Sequence, residues 1–417
     1  AVTDLAVASM GAAGAAAADL IEALNLGARP KVSVDRRLAS LWFSRSIAPK
    51  GWKLPPIWDA IAGDYKGADG WIRLHTNAPH HRAAALSVLN CAPDRETVSK
   101  TVRGWNVDAL EQAVVSASGA AAAMRDRAAW LSHPQGSAVA GEPLVQWDTR
   151  DGSTDIWHPT RTRPLAGLRV LDLTRVLAGP VATRALAGFG ADVLRVDPPG
   201  WEEPNVVPDV TLGKRCCRLD LKDESDLARF ERLMQQAHIL VHGYRPGALD
   251  DLVSAERRRD VAPDLIEVSL NAYGWSGPWS NRRGFDSLVQ MSCGIAEAGQ
   301  HWANSDKPHP LPVQALDHAT GYFIAAAALT ALARSVSGGG LCSARLSLAR
   351  TAETLFSMHR SDGPVIERVA TTDLQIRPEQ TPWGPAGRLR PAIEVEGAPM
   401  HWEKPAAALG SSVPAWP

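Results

Sequence analysis

The chain has 417 residues, 45% of them apolar and 21% charged, with a formal net charge of −1. That length suits two or three lobes around a substantial core, and a balanced charge without long like-sign blocks argues against a nucleic-acid or membrane-surface partner. Five scattered cysteines, Cys91, Cys216, Cys217, Cys293 and Cys342, are too few for a disulfide framework, so a reducing, cytoplasmic setting is expected.

The opening stretch "AVTDLAVASMGAAGAAAADLIEAL" lacks a basic leader region and carries Asp4, Asp19 and Glu22, so it reads as an alanine-rich helix over 10–25. No apolar run reaches the roughly 18 residues of a membrane span without a charge or glycine, and a soluble chain is expected. A strand-to-helix piece follows at 31–43. Residues 58–76 read as a hairpin turning at Gly67–Gly70, and helices are expected at 80–90, 94–103, 107–117 and 119–131. These features predict a helical segment (1–45) packing on a larger domain and then a smaller α+β domain (46–145). Residues 144–166 mix Pro, Gly, Ser, Thr and charge as a linker does, with its body at 146–163.

From 164 the pattern changes to short β-branched runs separated by helical spacing. Strands are expected at 168–174, 191–197, 215–221, 238–244 and 265–274, and helices at 180–190 and 223–237. This alternation predicts an α/β fold: a doubly wound, mostly parallel, Rossmann-like domain over 164–356, with a C-terminal segment at 357–417. An internal echo links "AAAADLIEALNLGARPKVSVDRRLASLWF" near the start to "AAAALTALARSVSGGGLCSARLSLARTAETLF" at 325–356. Shared alanine-rich composition or a partial duplication would each produce it.

Four places could carry chemistry. "TRVLAGP" (174–180) joins the first strand of the large domain to its helix, where a parallel sheet binds ligands and a helix N-terminus faces anions. It lacks the G-x-G-x-x-G dinucleotide fingerprint. Lys214 and Arg215, and Arg245 in an Arg-Pro-Gly corner, lie at turns flanking strands, which suits phosphate groups as well as plain solvated charge. His75, His80 and His81 have no carboxylate or cysteine at a zinc-like spacing, so they read as surface or cap residues and no metal is expected. Asp317, at the mouth of "ALDHATGYFIAAAALTAL", is either a helix cap or a nucleophile. No G-x-S-x-G elbow, Walker loop or H-E-x-x-H is present in the sequence.

Taken together, "PLAGLRVLDLTRVLAGPVATRALAGFGADVLRVDPPG" (164–200), "GKRCCRLDLKD" (213–223), "YRPGALDDL" (244–252), the run at 263–299 and "QALDHATGYFIAAAALTAL" (314–332) resemble the class III CoA-transferases, the CaiB/BaiF family, in that family's order. The resemblance implies that Asp317 is the catalytic nucleophile. It also implies that Val176, Leu177, Ala178, Lys214, Arg215, Tyr244 and Arg283 line a CoA site, to which Arg245 is added as a basic turn residue. Asp251 departs from the basic residue many relatives carry thereabouts. The implied substrates are an acyl-CoA and a carboxylic acid, without a metal, in a homodimer. The family also includes an α-methylacyl-CoA racemase that pairs the aspartate with a histidine; Phe285 stands at that place here, which weakens an isomerase reading. A non-catalytic CoA-binding protein is the third reading. Residues 58–90 resemble the family's small domain but precede the CoA-binding region, and 357–417 resemble its closing segment, so the parts are reordered.

Overall fold

The computed structural model describes residues 1–155, 157–358 and 366–417; Ile156 of the expected linker and 359–365 of the expected C-terminal segment lie outside them. The chain begins with α1 (Val2–Ala23), β1 (Val32–Val34), α2 (Arg36–Trp42) and β2 (Ile47–Pro49). A small lobe follows: β3 (Gly63–Lys66), β4 (Trp71–Leu74), α3 (Pro79–Leu89), α4 (Arg95–Val102), α5 (Val107–Ser116) and β5 (Ala121–Ala123). Two short helices, α6 (Arg127–Ser132) and α7 (Pro134–Ala140), and β6 (Gln146–Arg150) lead into the large domain.

That domain runs through β7 (Arg169–Leu173), α8 (Ala178–Gly188), β8 (Asp192–Asp197), α9 (Val207–Val210), β9 (Lys214–Arg218), α10 (Glu224–Met234), β10 (Ile239–His242), α11 (Ala255–Val261) and β11 (Ile266–Asn271). It continues with α12 (Asp286–Ser292), α13 (Ile295–Trp302), α14 (Ala315–Val336), β12 (Leu341–Ser347) and α15 (Leu348–Ser357). The closing elements are β13 (Glu379–Thr381), β14 (Gly384–Arg388) and β15 (Ile393–Val395).

The main sheet has the order β6-β12-β11-β10-β7-β8-β9, parallel throughout except for β6, which runs antiparallel to β12. Its strands are apolar on both sides, as a sheet covered on both faces requires. Val170, Val193, Val241 and Val268 point to the layer of α8 and α14, while Leu171, Leu194, Cys217 and Leu240 pack with Phe230 and Leu233 of α10. α1 lies on the outer side of α14, so that face is three layers deep. The helix pair meets through alanines: Ala6, Ala13 and Ala17 of α1 and Ala325, Ala328 and Ala331 of α14 are buried, and small side chains let helix axes approach closely. Leu5, Met10, Leu20 and Ile21 of α1 have no exposed surface; each contributes about 1.5–3 kcal/mol by leaving water.

By length and composition, α1 and α14 are both apolar enough to cross a membrane, yet in this fold most of each is buried in the protein core. The internal echo has a structural counterpart, since α1–β1–α2 and α14–β12–α15 are each helix, strand, helix.

The small lobe is a three-stranded antiparallel sheet, β3-β4-β5, with the expected turn between Lys66 and Trp71. Its core gathers Tyr65, Ile72, Leu74, Val98, Val102, Leu110 and Val114. One expected helix is absent. Residues 119–131 are not one helix: Ser118 takes a positive φ of 65° and Gly119 follows it, after which Ala121–Ala123 pair with β4, so tertiary pairing overrides alanine's helix propensity. Within the expected linker, 146–150 form the β6 edge strand. The termini of the fold meet through β1–β15 (Val32 opposite Val395) and β2–β14 (Pro49 opposite Ala386).

Candidate active site

β7 ends beneath a tight turn. The buried Asp172 carboxylate accepts bonds from the Thr174 amide (2.9 Å), from the Thr174 and Thr183 hydroxyls (2.5 Å each) and from Lys214 Nζ (2.9 Å). Val176 then takes φ 64°, a strained conformation for a β-branched residue, and its amide donates to Glu203 Oε1 at 2.6 Å. α8 starts at Ala178 with no side-chain cap, so its first amides are left to whatever lies beyond the strand ends. Glycine is required here: a Cβ on Gly179 would lie 2.2 Å from Thr174 Cγ2, and one on Gly321 would lie 2.5 Å from the Ala178 carbonyl oxygen. Gly321 thereby lets α14 close on the turn.

Asp317 is not the cap of α14. Gln314 holds that position, and Asp317 is third in the first turn, 8% exposed. Its amide donates to Asp286 Oδ2 at 2.9 Å, and Asp286 Oδ1 accepts from Gln290 Nε2 at 2.5 Å. Asp286, the first residue of α12, thus caps α14 from another helix. The two carboxyls are buried together. Burial pushes Asp286 up to about 6. Asp317 is raised well above the ordinary carboxyl value by burial first and by the Asp286 charge second. An ordinary value near 3.9, expected for a free aspartate, does not hold in this setting.

Both groups are more easily kept protonated in the fold than in the unfolded chain. They therefore add stability at acid pH and withdraw it as pH rises through their raised values. Asp286→Asn, whose amide oxygen still accepts the Asp317 N–H, is expected to move the acid limb of any reaction needing ionised Asp317 to lower pH. It is also expected to raise the melting temperature at pH 8 relative to the parent while leaving pH 4 unchanged. Reaction and melting profiles from pH 4 to 9 check this; an unmoved acid limb would contradict it.

Asp317 faces a cavity of about 340 Å³ at the carboxyl ends of β7, β10 and β11, walled by the large domain and by the first turn of α3 from the small lobe. That size and place suit a ligand pocket. Of the expected residues, Val176, Ala178, Tyr244, Arg245 and Arg283 line it together with Asp317. Three do not. Leu177 turns into the core. Lys214 is 1% exposed and spans from Asp172 to the Pro180 carbonyl (2.9 Å), an anchor beneath the turn and no phosphate ligand. Arg215 pairs with Asp192 (2.8 Å) and bonds the Ala415 carbonyl (2.5 Å) at the far edge of the sheet. Both lie at the start of β9, opposite the end where the parallel strands open to ligand. Asp251 is exposed.

The structure adds residues that sequence reasoning missed. Arg175 reaches Tyr244 Oη (3.2 Å) and lies 4.7 Å over the Trp201 ring. Among the described residues, none of Arg175, Arg245 and Arg283 has a carboxylate partner, whereas Arg282 pairs with Glu111 at 2.8 Å. His80 and His81, read as surface or cap residues, enter the cavity wall. His75 stacks on Phe285 at 3.8 Å. Among the described residues no group of three or more His, Cys, Asp or Glu could hold a metal ion.

In this doubly wound domain a buried carboxylate, an uncapped helix start and arginines that have no carboxylate partner among the described residues surround one cavity, an arrangement suited to an anionic ligand. The family model of CoA-transferase family III matches residues 165–381, more than half of the chain, and the chain belongs to that family. It is similar to an acetyl-coenzyme A transferase of Hypoxylon pulicicidum, 37% identical over 223 residues, covering 50% of this chain and 37% of the relative. It is similar also to the succinyl-CoA:glutarate CoA-transferase of Homo sapiens, 31% identical over 212 residues and covering 46% and 48% of the two chains. A crystal structure of a hypothetical protein from Mycobacterium tuberculosis aligns with 32% identity and a TM-score of 0.43, covering 46% of this chain and 56% of that one. The chain spans less than half the length of these curated relatives.

Proposed function

We propose that this protein transfers CoA from an acyl-CoA donor to a carboxylic acid, with Asp317 as nucleophile. One observation carries the reading: the cavity that holds Asp317 is also lined by Arg175, Arg245 and Arg283, cations without a carboxylate partner among the described residues. Three such guanidiniums suit the phosphates of CoA, and Tyr244 offers an aromatic face beside them.

In the proposed sequence an Asp317 carboxylate oxygen attacks the thioester carbonyl and the C–S bond breaks, leaving an acyl-aspartyl anhydride and CoA thiolate. The thiolate attacks the aspartyl carbonyl, releasing the donor acid and forming an aspartyl-CoA thioester. The acceptor carboxylate attacks that thioester, expelling thiolate and forming a second anhydride. Thiolate attack on the acceptor carbonyl then gives the new acyl-CoA and frees Asp317. Each addition places charge on a carbonyl oxygen, for which the uncapped amides at Ala178 and Gly179 are suitable donors. Burial of Asp317 keeps water from the anhydrides.

A reducing cytoplasm, supported by five free thiols, and association into a homodimer belong to the same proposal. The test is mass spectrometry of the protein with acetyl-, succinyl-, oxalyl- and branched acyl-CoAs, with hydroxylamine trapping and peptide mapping. An adduct on Asp317 with at least one donor is expected. CoA retention without any adduct would replace this reading with that of a CoA-binding protein.

A further inference from the structure

The turn between β7 and α8 is held in a shape that its sequence does not favour. Val176 takes φ 64°, a region that glycine fills freely and a β-branched residue avoids. Leu177 follows with φ −137° and ψ −56°, after which α8 begins at Ala178. These two departures turn the chain so that Thr174, Arg175, Val176, Ala178 and Gly179 all line the cavity. An outlier of this kind persists only where its surroundings fix it, and it points to a function for the shape.

Glu203 supplies the fixing contact. Its Oε1 accepts from the Val176 amide at 2.6 Å and its Oε2 from Arg195 Nη2 at 2.7 Å. Arg195 has no exposed surface, and it also holds Asp197 through Nε (2.8 Å) and Nη2 (2.9 Å). That guanidinium therefore has a bidentate carboxylate without Glu203. A residue kept only to neutralise it would turn both oxygens toward it, whereas Glu203 gives one to the turn. The Glu203 backbone is anchored as well, its carbonyl accepting from the Val206 and Val207 amides (3.0 Å each) at the start of α9. Two positions earlier, the Trp201 ring lies 4.7 Å under the Arg175 guanidinium. The loop after β8 thus grips two consecutive residues of the turn, Arg175 by its side chain and Val176 by its amide.

We infer that Glu203 is a positioning residue for the reacting turn: it holds Val176 in the left-handed conformation and so aims the uncapped amides of Ala178 and Gly179 at the carbonyl oxygen that gains charge. Glu203 does not line the cavity, so it acts through Val176 and touches no substrate. This inference rests on the transferase reading, which supplies the oxyanion. Donors fixed in advance stabilise charge that develops only in the transition state. A slack turn therefore slows the reaction more than it weakens binding of the thioester.

The experiment compares the parent with Glu203→Ala, alone and combined with Val176→Gly, in the full chain. Arg195 keeps Asp197 in both variants, and melting temperatures check that the fold is retained. Hydrogen exchange, read by mass spectrometry over 174–181, is expected to show the Val176 amide exchanging about 10-fold or more faster in Glu203→Ala, with β7 and β8 unchanged. In acyl transfer kcat is expected to fall about 10²-fold while KM for the acyl-CoA stays within about 3-fold. Adding Val176→Gly relieves the left-handed strain without Glu203 and is expected to restore about 10-fold of the lost kcat, a recovery that a merely structural role would not give. Unchanged exchange, a raised KM with kcat intact, or no recovery in the double variant would overturn the inference. Exchange is read without turnover, so a parent that transfers no CoA counts against the transferase reading, and an unaltered Val176 amide counts against Glu203.

Discussion

Asp317→Asn is expected to abolish the covalent adduct and to lower CoA transfer by roughly 10⁴-fold or more, because an amide cannot open a thioester and, among the described residues, no second carboxylate lines the cavity. The substitution is nearly isosteric and keeps the backbone N–H that Asp286 holds. It removes a charge that burial disfavours, so the variant melts no lower than the parent at pH 8 and still binds CoA. Adduct mapping, transfer rates and CoA calorimetry on the same preparation separate lost chemistry from lost fold. Transfer within about 10-fold of the parent would remove Asp317 from the mechanism.

The largest expected effect on stability lies elsewhere. Asp209, at α9, accepts from Arg184 Nη1 of α8 at 2.8 Å and from Arg388 Nη1 of β14 at 3.3 Å, and the Ser46 hydroxyl also bonds it. Arg388 continues to the Pro208 carbonyl (3.0 Å) and to Glu379 (2.7 Å). Both arginines are 1% exposed. Asp209→Ala leaves two buried guanidiniums facing each other and is expected to cost about 3–5 kcal/mol in urea unfolding. A loss below about 1 kcal/mol would show that the cluster relaxes toward water or other partners. The cluster ties the segments before β2 and at β14 to the first helix of the large domain, so its loss loosens the wall behind the catalytic turn.

The large domain was legible because its strands are continuous apolar runs and its helices carry clear 3.6-residue spacing. Asp317 could be singled out as one acidic residue opening a long apolar helix. β5 was hidden because three alanines and their neighbours carry a helical bias, and only pairing with β4 makes them a strand. β6 was hidden inside a polar stretch, since an edge strand with one exposed side needs no apolar run. Lys214 and Arg215 could not be told from ligands, because a sequence shows a basic residue near a turn but not which end of the strand faces the cavity. Asp286 stood beside Phe285 in "RRGFDSL", and only the fold brings it under the amide of a residue 31 positions away. His80 and His81 show the same limit, because their role depends on how the small lobe docks.

The pairing of β1 with β15 and of β2 with β14 also bears on how the chain acquires its shape. Partners such as Val32 and Val395, or Pro49 and Ala386, are separated by most of the polypeptide. During synthesis the first strands wait, unpaired, until their distant partner strands have been made, and closing so long a loop costs entropy before any contact rewards it. The Rossmann-like sheet, assembled from neighbours in sequence, can form first and present α14 as a surface for α1. The chain should thus fold from its middle outward, with the two outer ribbons closing last.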